Sequence, residues 1–413
     1  MRFTRLVEYL HSVPAAGLPH GLLDHARIAL LDNLGCGLFG AQREWGRIVT
    51  ALVRDEASQG RASVYGSSTG CAPARAALAN GTCTHGFELD DIILGALSHP
   101  GAVVVPAALA VAESAGASGT DLLRGIVASL LLFLNILFWV PFLLGFAVLK
   151  LLLPLRAVRV RIDPILVAIA ENWIAGNSGW MRLTQRTVWD VDGLEGLDRR
   201  HWYLVNSNHQ SWADIFVLQH LLNRRIPLLK FFIKDQLKWV PLMGLAWWAL
   251  DFPFMRRHSE EYLKAHPEMR GRDQEATRKA CAKFALIPTS VMNFLEGTRF
   301  TSTKHRRQDS PYRHLLKPKA GGIALALNAM GDRFQAVLDV TIVYPDGAPN
   351  FWEFLCGRLR RVVVRIQSLP VPAELMQGDY AADPAVREAF GRWVQQLWRD
   401  KDAQIDRLLV ASG

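Results

Sequence analysis

The chain has 413 residues, half of them hydrophobic and 21% charged, with a formal net charge of +9 and a pI near 9.5. This composition excludes a disordered or low-complexity polymer and gives enough chain for more than one domain. Its five cysteines (Cys36, Cys71, Cys83, Cys281, Cys356) are odd in number and widely separated, without Cys-x-x-Cys or histidine pairing, so they indicate neither a disulfide frame nor a zinc site.

Residues 1–123 hold 8 arginines, no lysine and 11 acids, a net charge of −3 that leaves +12 for the remainder. They are rich in Ala and Gly, contain one of the 13 tryptophans (Trp45), and read as short Ala-rich helices. The change of composition predicts three parts: 1–123 a helical fragment, 124–182 a membrane-associated helical segment, and 183–413 a catalytic domain. In the first part Asp90, Asp91 and His99 carry the chemistry, because a carboxylate pair near an imidazole supports proton abstraction beside a substrate carboxylate. The wording Arg27–Leu38, Asn80–Asp91 and His99–Val103 resembles the opening of the 2-methylcitrate dehydratase family, whose relatives include cis-aconitate decarboxylases. The match stops where that enzyme would continue for several hundred residues, and Ile92 stands where the family usually has threonine. It implies a truncated all-α fragment, vestigial or fused, whose own core is in doubt and whose lyase activity is the least favoured reading.

From Gly125 to Leu149 there is no charged residue, and about 20 apolar residues suffice to cross a bilayer. Lys150, Arg156, Arg159 and Arg161 follow, so the positive-inside tendency places the C-terminal side in the cytoplasm. Asn135 and Pro141 interrupt the run, which leaves a kinked span and a re-entrant helix both open. A second apolar stretch, Ile162 to Trp180, spaces Trp173 and Trp180 to sit at an interface. A single span with its basic end inside would put residues 1–124 outside with no signal peptide before them. Either the segment is re-entrant, or the join is not that of an ordinary gene product.

The run His201-Trp202-Tyr203-Leu204-Val205 predicts a buried strand that delivers Asn208 and His209 to its end. Ser211 is placed to cap a helix beginning near Trp212, which puts Asp214 in its first turn, within reach of the imidazole. A carboxylate bonded to one ring nitrogen fixes the tautomer and raises the basicity of the other, as a general base requires. A His and an Asp five positions apart are common by chance, but a second strand-like run, Ser290 to Leu295, ends in Glu296-Gly297-Thr298-Arg299. There glycine permits a tight turn and arginine can grip a phosphate bidentately. Between them lies Phe252-Pro253-Phe254-Met255-Arg256-Arg257, and beyond them Leu315 to Gly322, with Pro318 near the start of a predicted helix.

These four ordered blocks resemble the glycerolipid acyltransferase family, typified by the 1-acylglycerol-3-phosphate acyltransferases, over about residues 126–410. The family's Asn-His-x-x-x-x-Asp block is matched by Asn208, His209 and Asp214, its second block by Arg256, its Glu-Gly-Thr-Arg block by Glu296 to Arg299, and its proline block by Pro318. The intervening text looks closest to a bacterial inner-membrane branch. The resemblance implies catalysis by His209 and Asp214, with Arg256, Glu296, Gly297, Thr298, Arg299 and Pro318 at the substrate. Glu296 would bind the glycerol backbone or pin Arg299. It also implies acyl-CoA or an acyl carrier protein thioester as co-substrate with no cofactor, and a lysophospholipid acceptor. The enzyme would lie in a cell inner membrane among phospholipids, its catalytic domain facing the cytoplasm.

The expected fold is an α/β acyltransferase domain, a mixed sheet with flanking helices, preceded by membrane helices and an N-terminal all-α fragment. Strands are predicted near Tyr203–Asn206, Val291–Leu295, Val337–Val343 and Arg361–Ile366, and an amphipathic helix from Pro384 to about Leu409. Trp247, Trp248 and Phe252 either line an acyl tunnel or fill the core. Nucleic acid is excluded as the partner of the basic charge, since the bases are scattered among tryptophans and no zinc spacing or nucleic-acid module is present. Two other readings stay open: a non-catalytic lipid-binding protein of the same fold, and a lyase acting through the N-terminal part.

Overall fold

Strands of bulky β-prone residues alternate with helices along the C-terminal half, and the sheet they form positions the His209, Asp214 and Glu296 site described below. In the computed structural model the described residues are 20–56, 59–68, 70–94, 98–153, 155–231, 233–240, 243–252, 254–255, 287–372, 375, 380 and 383–412. The chain forms two compact units. One comprises Met1–Leu137, Asn177–Arg186 and Pro349–Arg360; the other comprises Phe138–Gly176, Thr187–Ala348 and Arg361–Gly413.

The first unit begins with helices α1 (His20–Ala41), α2 (Glu44–Asp55), α3 (Pro73–His85) and α4 (Pro100–Ala115). Proline opens both α3 and α4, where a fixed φ suits the first turn and the missing N–H has no partner to lose. Small residues let these helices approach: a Cβ on Gly40 of α1 would fall 1.9 Å from the Cys83 carbonyl oxygen of α3. Val49, Val53, Ala62, Val64, Tyr65, Ala76, Ala79 and Cys83 make a buried cluster. The fragment whose core was in doubt therefore packs one, and distant chain completes the unit. Residues 349–360 include α11 (Phe351–Leu355), capped by a reciprocal Asn350/Glu353 box. The Trp352 ring lies against Gly125, and Arg358 pairs with Asp121 at 2.6 Å.

Helix α5 (Gly119–Leu152) runs unbroken through Asn135 and Pro141. The polar side chain is satisfied within the protein, Asn135 Nδ2 donating to Asn177 Oδ1 at 2.9 Å, an oxygen that also accepts from Trp180 Nε1 at 3.1 Å. Among the described residues α5 is the one helix long and apolar enough to cross a membrane, with a mean hydropathy of 2.4 over its most apolar window. The second predicted stretch lies in α6 (Arg156–Thr184), a 29-residue helix that does not meet that test because Asp163, Glu171, Asn172 and Asn177 dilute its apolar character. Leu143 and Ala147 of α5 pack with Ile162, Leu166, Ile169 and Ala170 of α6. Lys150, at the end of α5, is only 10% exposed in its side chain and pairs with Asp163 at 2.7 Å and Asp251 at 2.6 Å.

The second unit is built on a six-stranded mixed sheet in the order β1-β8-β7-β2-β6-β3. Its strands are β1 (Val188–Asp192), β2 (Trp202–Ser207), β3 (Leu229–Phe231), β6 (Ser290–Phe294), β7 (Phe334–Val343) and β8 (Arg361–Leu369). The short pair β4 (Ile233–Lys234) and β5 (Phe254–Met255) lies outside it. β2 pairs in parallel with both β6 and β7, while β7 and β8 are antiparallel, so the predicted mixed sheet with flanking helices is present. Parallel central strands require burial on both faces, and Leu204, Val205, Val291, Val337 and Leu338 are at most 1% exposed. Helix α10 (Gly321–Met330) supplies Ile323, Ala324 and Leu327 to that core. Helix α12 (Pro384–Ser412) supplies Phe390, Val394, Trp398 and Ile405, spaced to share one helical face. Lys401 on the same face is fully buried and meets Asp339 Oδ2 at 3.0 Å and the Val340 carbonyl at 2.8 Å. Trp248 is 50% exposed, while Phe252 packs against the α5/α6 cluster.

Candidate active site

The pairing of β2 with β6 brings two of the sequence blocks side by side. Asn206 stands opposite Asn293 and Ser207 opposite Phe294, so both chains leave the sheet at adjacent carboxyl ends. In open α/β sheets that edge is where functional groups collect. After β2 the chain turns through Asn208 to Trp212 into α7 (Ala213–Leu222), whose buried face (Ala213, Asp214, Val217, Leu218, Leu221, Leu222) seats it on the core. Asn208 is a brace: its amide donates to the Ile342 carbonyl at 2.8 Å and accepts from the Ile342 N–H at 2.9 Å, locking the turn to β7. Ser211 Oγ accepts from the Ala213 N–H at 3.0 Å and Trp212 already has helical backbone angles, so the serine caps the first turn as the sequence predicts.

Asp214 reaches back across this turn, as the spacing predicts. His209 Nδ1 lies 2.8 Å from Asp214 Oδ2, which also accepts the N–H groups of Gln210 at 2.7 Å and Ser211 at 2.9 Å. Asp214 Oδ1 accepts from the Tyr344 hydroxyl at 2.5 Å. An acceptor with four donors holds Nδ1 as the N–H tautomer and leaves Nε2 with its lone pair. The imidazole is stacked on Phe294, centroids 3.9 Å apart and planes at 13°, which fixes its orientation while 13% of the side chain stays open. Burial and the neighbouring Asp214 hold the Tyr344 phenol well above its usual range, so it remains a donor at neutral pH.

Glu296 joins the blocks. It is fully buried, and its two oxygens accept the N–H of His209 at 2.8 Å and of Leu316 at 3.1 Å. The same junction is bound by the Phe300 N–H on the His209 carbonyl at 2.7 Å and the Lys319 N–H on the Leu295 carbonyl at 2.7 Å. Glu296 therefore organises the backbone of three blocks, and its carboxylate faces neither Arg299 nor the opening. Burial pushes Glu296 up to about 8, against the opposing pull of those two N–H donors. Gly297 turns with φ +68°, the left-handed conformation that glycine adopts without strain. Thr298 Oγ1 accepts from Lys304 Nζ at 2.8 Å. Arg299 is exposed, its guanidinium 4.6 Å from the ring centre of half-exposed Trp212, and it makes no ion pair among the described residues.

Pro318 is half-buried beside these contacts but precedes α10 by three residues, so the loop, not a helix start, places it. Arg256 lies outside the described residues. Tyr344 is the site residue that the motifs miss: it follows β7 by one position, and only the sheet order reveals its neighbour. Tyr344→Phe is expected to lower the rate of the reaction proposed below roughly tenfold by loosening the carboxylate that orients His209. A steady-state assay beside a thermal melt distinguishes this from unfolding, since phenylalanine keeps the buried ring.

In the N-terminal unit, His85, Asp90 and His99 converge: both Nδ1 atoms approach Asp90 Oδ1, at 3.3 and 3.2 Å. Asp91 turns away and accepts the Gly101 N–H at 3.0 Å. Burial raises its carboxyl above the usual range.

Two family models match the chain. Residues 188–345 match one described as Acyltransferase, and residues 4–130 match the MmgE/PrpD N-terminal domain. The mouse 1-acyl-sn-glycerol-3-phosphate acyltransferase epsilon is 24% identical over 226 residues, 49% of this chain and 56% of that protein. The cis-aconitate decarboxylase-like protein oryM of Aspergillus oryzae is 32% identical over 108 residues, 26% of this chain and 22% of that protein. The crystal structure of the 1-acyl-sn-glycerophosphate (LPA) acyltransferase PlsC from Thermotoga maritima aligns with a TM-score of 0.38 and 18% identity, covering 67% of this chain and 97% of that one. Both resemblances read from the sequence are thus found, and the chain spans under three fifths of the length of the mouse acyltransferase it matches.

Proposed function

We propose that this protein is a membrane-bound acyltransferase that moves a fatty acyl group from a thioester to the free hydroxyl of a lysophospholipid such as 1-acylglycerol-3-phosphate. The observation that carries the reading is the His209–Asp214 pair at 2.8 Å, buried on the Asp side and open on the His side. His209 Nε2 takes the hydroxyl proton as that oxygen attacks the thioester carbonyl carbon. The C–S bond then breaks, and the proton held on the imidazole leaves with the thiolate. No covalent acyl-enzyme and no cofactor is required; acyl-CoA or an acyl carrier protein thioester is the co-substrate.

Arg299, exposed and stacked on Trp212, is suited to the acceptor's phosphate, with Arg256 as the second cation of the resemblance. Arg299→Ala is expected to raise KM for a phosphate-bearing acceptor roughly tenfold while kcat changes little, because the lost contact is made in ground and transition state alike. A matching rise in KM for the thioester donor would count against this role.

The membrane address rests on α5, which leaves Phe138, Phe142, Leu149, Leu151 and Leu152 exposed. The turn Asp235–Trp239 and helix α8 (Met243–Ala249) add Trp239, 79% exposed, and Leu245. Tryptophan at such positions favours the headgroup region. Lys150 is neutralised by two carboxylates, so Arg159 and Arg161, both exposed, carry the argument that this end of α5 faces the cytoplasm of an inner membrane.

The test is transfer from a labelled acyl-CoA to lysophosphatidic acid in membranes containing the full chain. Product formation supports the reading. Absence of product across several lysophospholipids and both donor types would overturn it and leave lipid binding without catalysis as the better account.

A further inference from the structure

The N-terminal unit contains a cluster that acyl transfer does not use. His85 is the last residue of α3, His99 immediately precedes α4, and Asp90 lies in the loop between them. The Asp90 side chain is completely buried, yet its Oδ2 has no hydrogen-bond partner. His99 Nδ1 is also buried and unpartnered, although it lies 3.2 Å from Asp90 Oδ1, because the alignment is wrong for a hydrogen bond. The two imidazoles are packed at 4.4 Å between centroids. Among the described residues, Asp90 Oδ1 has only the His85 Nδ1 contact as a hydrogen bond, so a buried imidazole nitrogen and a buried carboxylate oxygen beside it stay unsatisfied, surroundings that a cation satisfies.

We propose that His85, Asp90 and His99 form a binding site for one divalent transition-metal ion of the zinc class. The three ligand atoms lie within 4.8 Å of one another. A tetrahedral ion at roughly 2.0–2.1 Å from each ligand needs ligand separations of about 3.3 Å. The two nitrogen–oxygen separations, 3.3 and 3.2 Å, meet that requirement. Two imidazoles with one carboxylate select Zn²⁺, Co²⁺ or Ni²⁺ over Mg²⁺ or Ca²⁺, which prefer all-oxygen shells. The fourth position is left for water or an anionic ligand, and the His85 side chain, 46% exposed, gives the ion an entry path. Asp91 is no ligand, since both of its oxygens are directed at the Gly101 N–H.

Sequence inspection picks out Asp90 and His99 as acid/base groups but not His85 or a metal-ligand set. His-x4-Asp-x8-His is not a metal-finger pattern, and His85 and His99 stand at the ends of two different helices. The proposal is independent of the acyltransferase reading, as its residues belong to the other compact unit.

The test is titration of the full-length, untagged, detergent-solubilised protein with Co²⁺ after chelator treatment. The expected result is saturation at about one equivalent with visible tetrahedral d–d bands, lost on addition of Zn²⁺. His85→Ala, at a half-exposed position with no core role, and the isosteric Asp90→Asn are each expected to weaken Co²⁺ binding at least about tenfold. Far-UV circular dichroism monitors folding of both variants. Should Asp90→Asn misfold, His85→Ala still decides the matter. No saturable Co²⁺ site in the wild-type chain, or unchanged binding in His85→Ala, would overturn the assignment.

Discussion

His209→Ala is expected to abolish acyl transfer, lowering kcat by roughly 10²–10⁴-fold, the range general-base catalysis contributes, while the protein still folds. Folding survives because the ring sits at the mouth of the site with 13% of its side chain open. It contributes one stacked contact to Phe294 and one of the four hydrogen bonds to Asp214, whose other three donors remain. The stacked contact is worth only about 0.5–1.5 kcal/mol. The backbone bonds that hold position 209, from its N–H to Glu296 and from Phe300 to its carbonyl, do not depend on the side chain. Asp214→Asn serves as the companion variant. An amide in place of the carboxylate can present N–H to Nδ1, favouring the tautomer with Nε2 protonated, so activity falls although the histidine remains. The measurement is initial rate with labelled acyl-CoA and lysophosphatidic acid, beside a thermal melt of each variant. Full activity in His209→Ala would remove the general base from the mechanism, and a lipid-binding protein without catalysis would then fit better.

Much of this site was legible in the sequence because its determinants are local. The five-residue interval from His209 to Asp214 spans one turn and the start of one helix, so the spacing alone brings the two side chains together. The strands ending at Ser207, Phe294, Val343 and Leu369 announce themselves as bulky β-prone runs, and α12 by the apolar spacing of Phe390, Val394 and Trp398. What sequence pattern missed is set by nonlocal contacts or by short elements. Strand β3 has only three residues, too few to show a period, and β1 is half-exposed at the sheet edge with Asp190 and Asp192 breaking its apolar character. Tyr344 reaches Asp214 across 130 positions, which only the adjacency of β7 and β2 makes possible. The position of Glu296 was evident, but not its bonding. A Glu beside an Arg suggests an ion pair, whereas parallel pairing of β2 and β6 turns the carboxylate toward the backbone of His209.

Glu296 gives the second large effect, and it is one of stability against pH. Its folded value of about 8 stands above an ordinary 4.5 because burial disfavours the carboxylate more than two N–H donors and the Lys401 charge favour it. Below about 4.5 the side chain is protonated in folded and unfolded chains alike, so it imposes no penalty. Between 4.5 and 8 the folded chain retains a proton that the unfolded chain releases, and the contribution to stability falls as pH rises, by roughly 1.4 kcal/mol per unit until the folded group also ionises near 8. Glu296→Gln cannot titrate, so the fall of melting temperature across pH 5 to 8 should be distinctly shallower in the variant than in the wild type. The substitution also turns one acceptor into a donor facing a buried N–H, of His209 or of Leu316, at a cost of about 1–3 kcal/mol that is independent of pH. Since the titration removes about 4 kcal/mol from the wild type between pH 5 and 8, more than that fixed cost, the variant is expected to melt below the wild type at pH 5 and above it at pH 8, the two curves crossing in between. Parallel curves would show that another group governs the pH dependence. Because Glu296 ties the His209 backbone to that of Leu316, kcat in the variant is expected to fall even at the pH where the two melting curves meet.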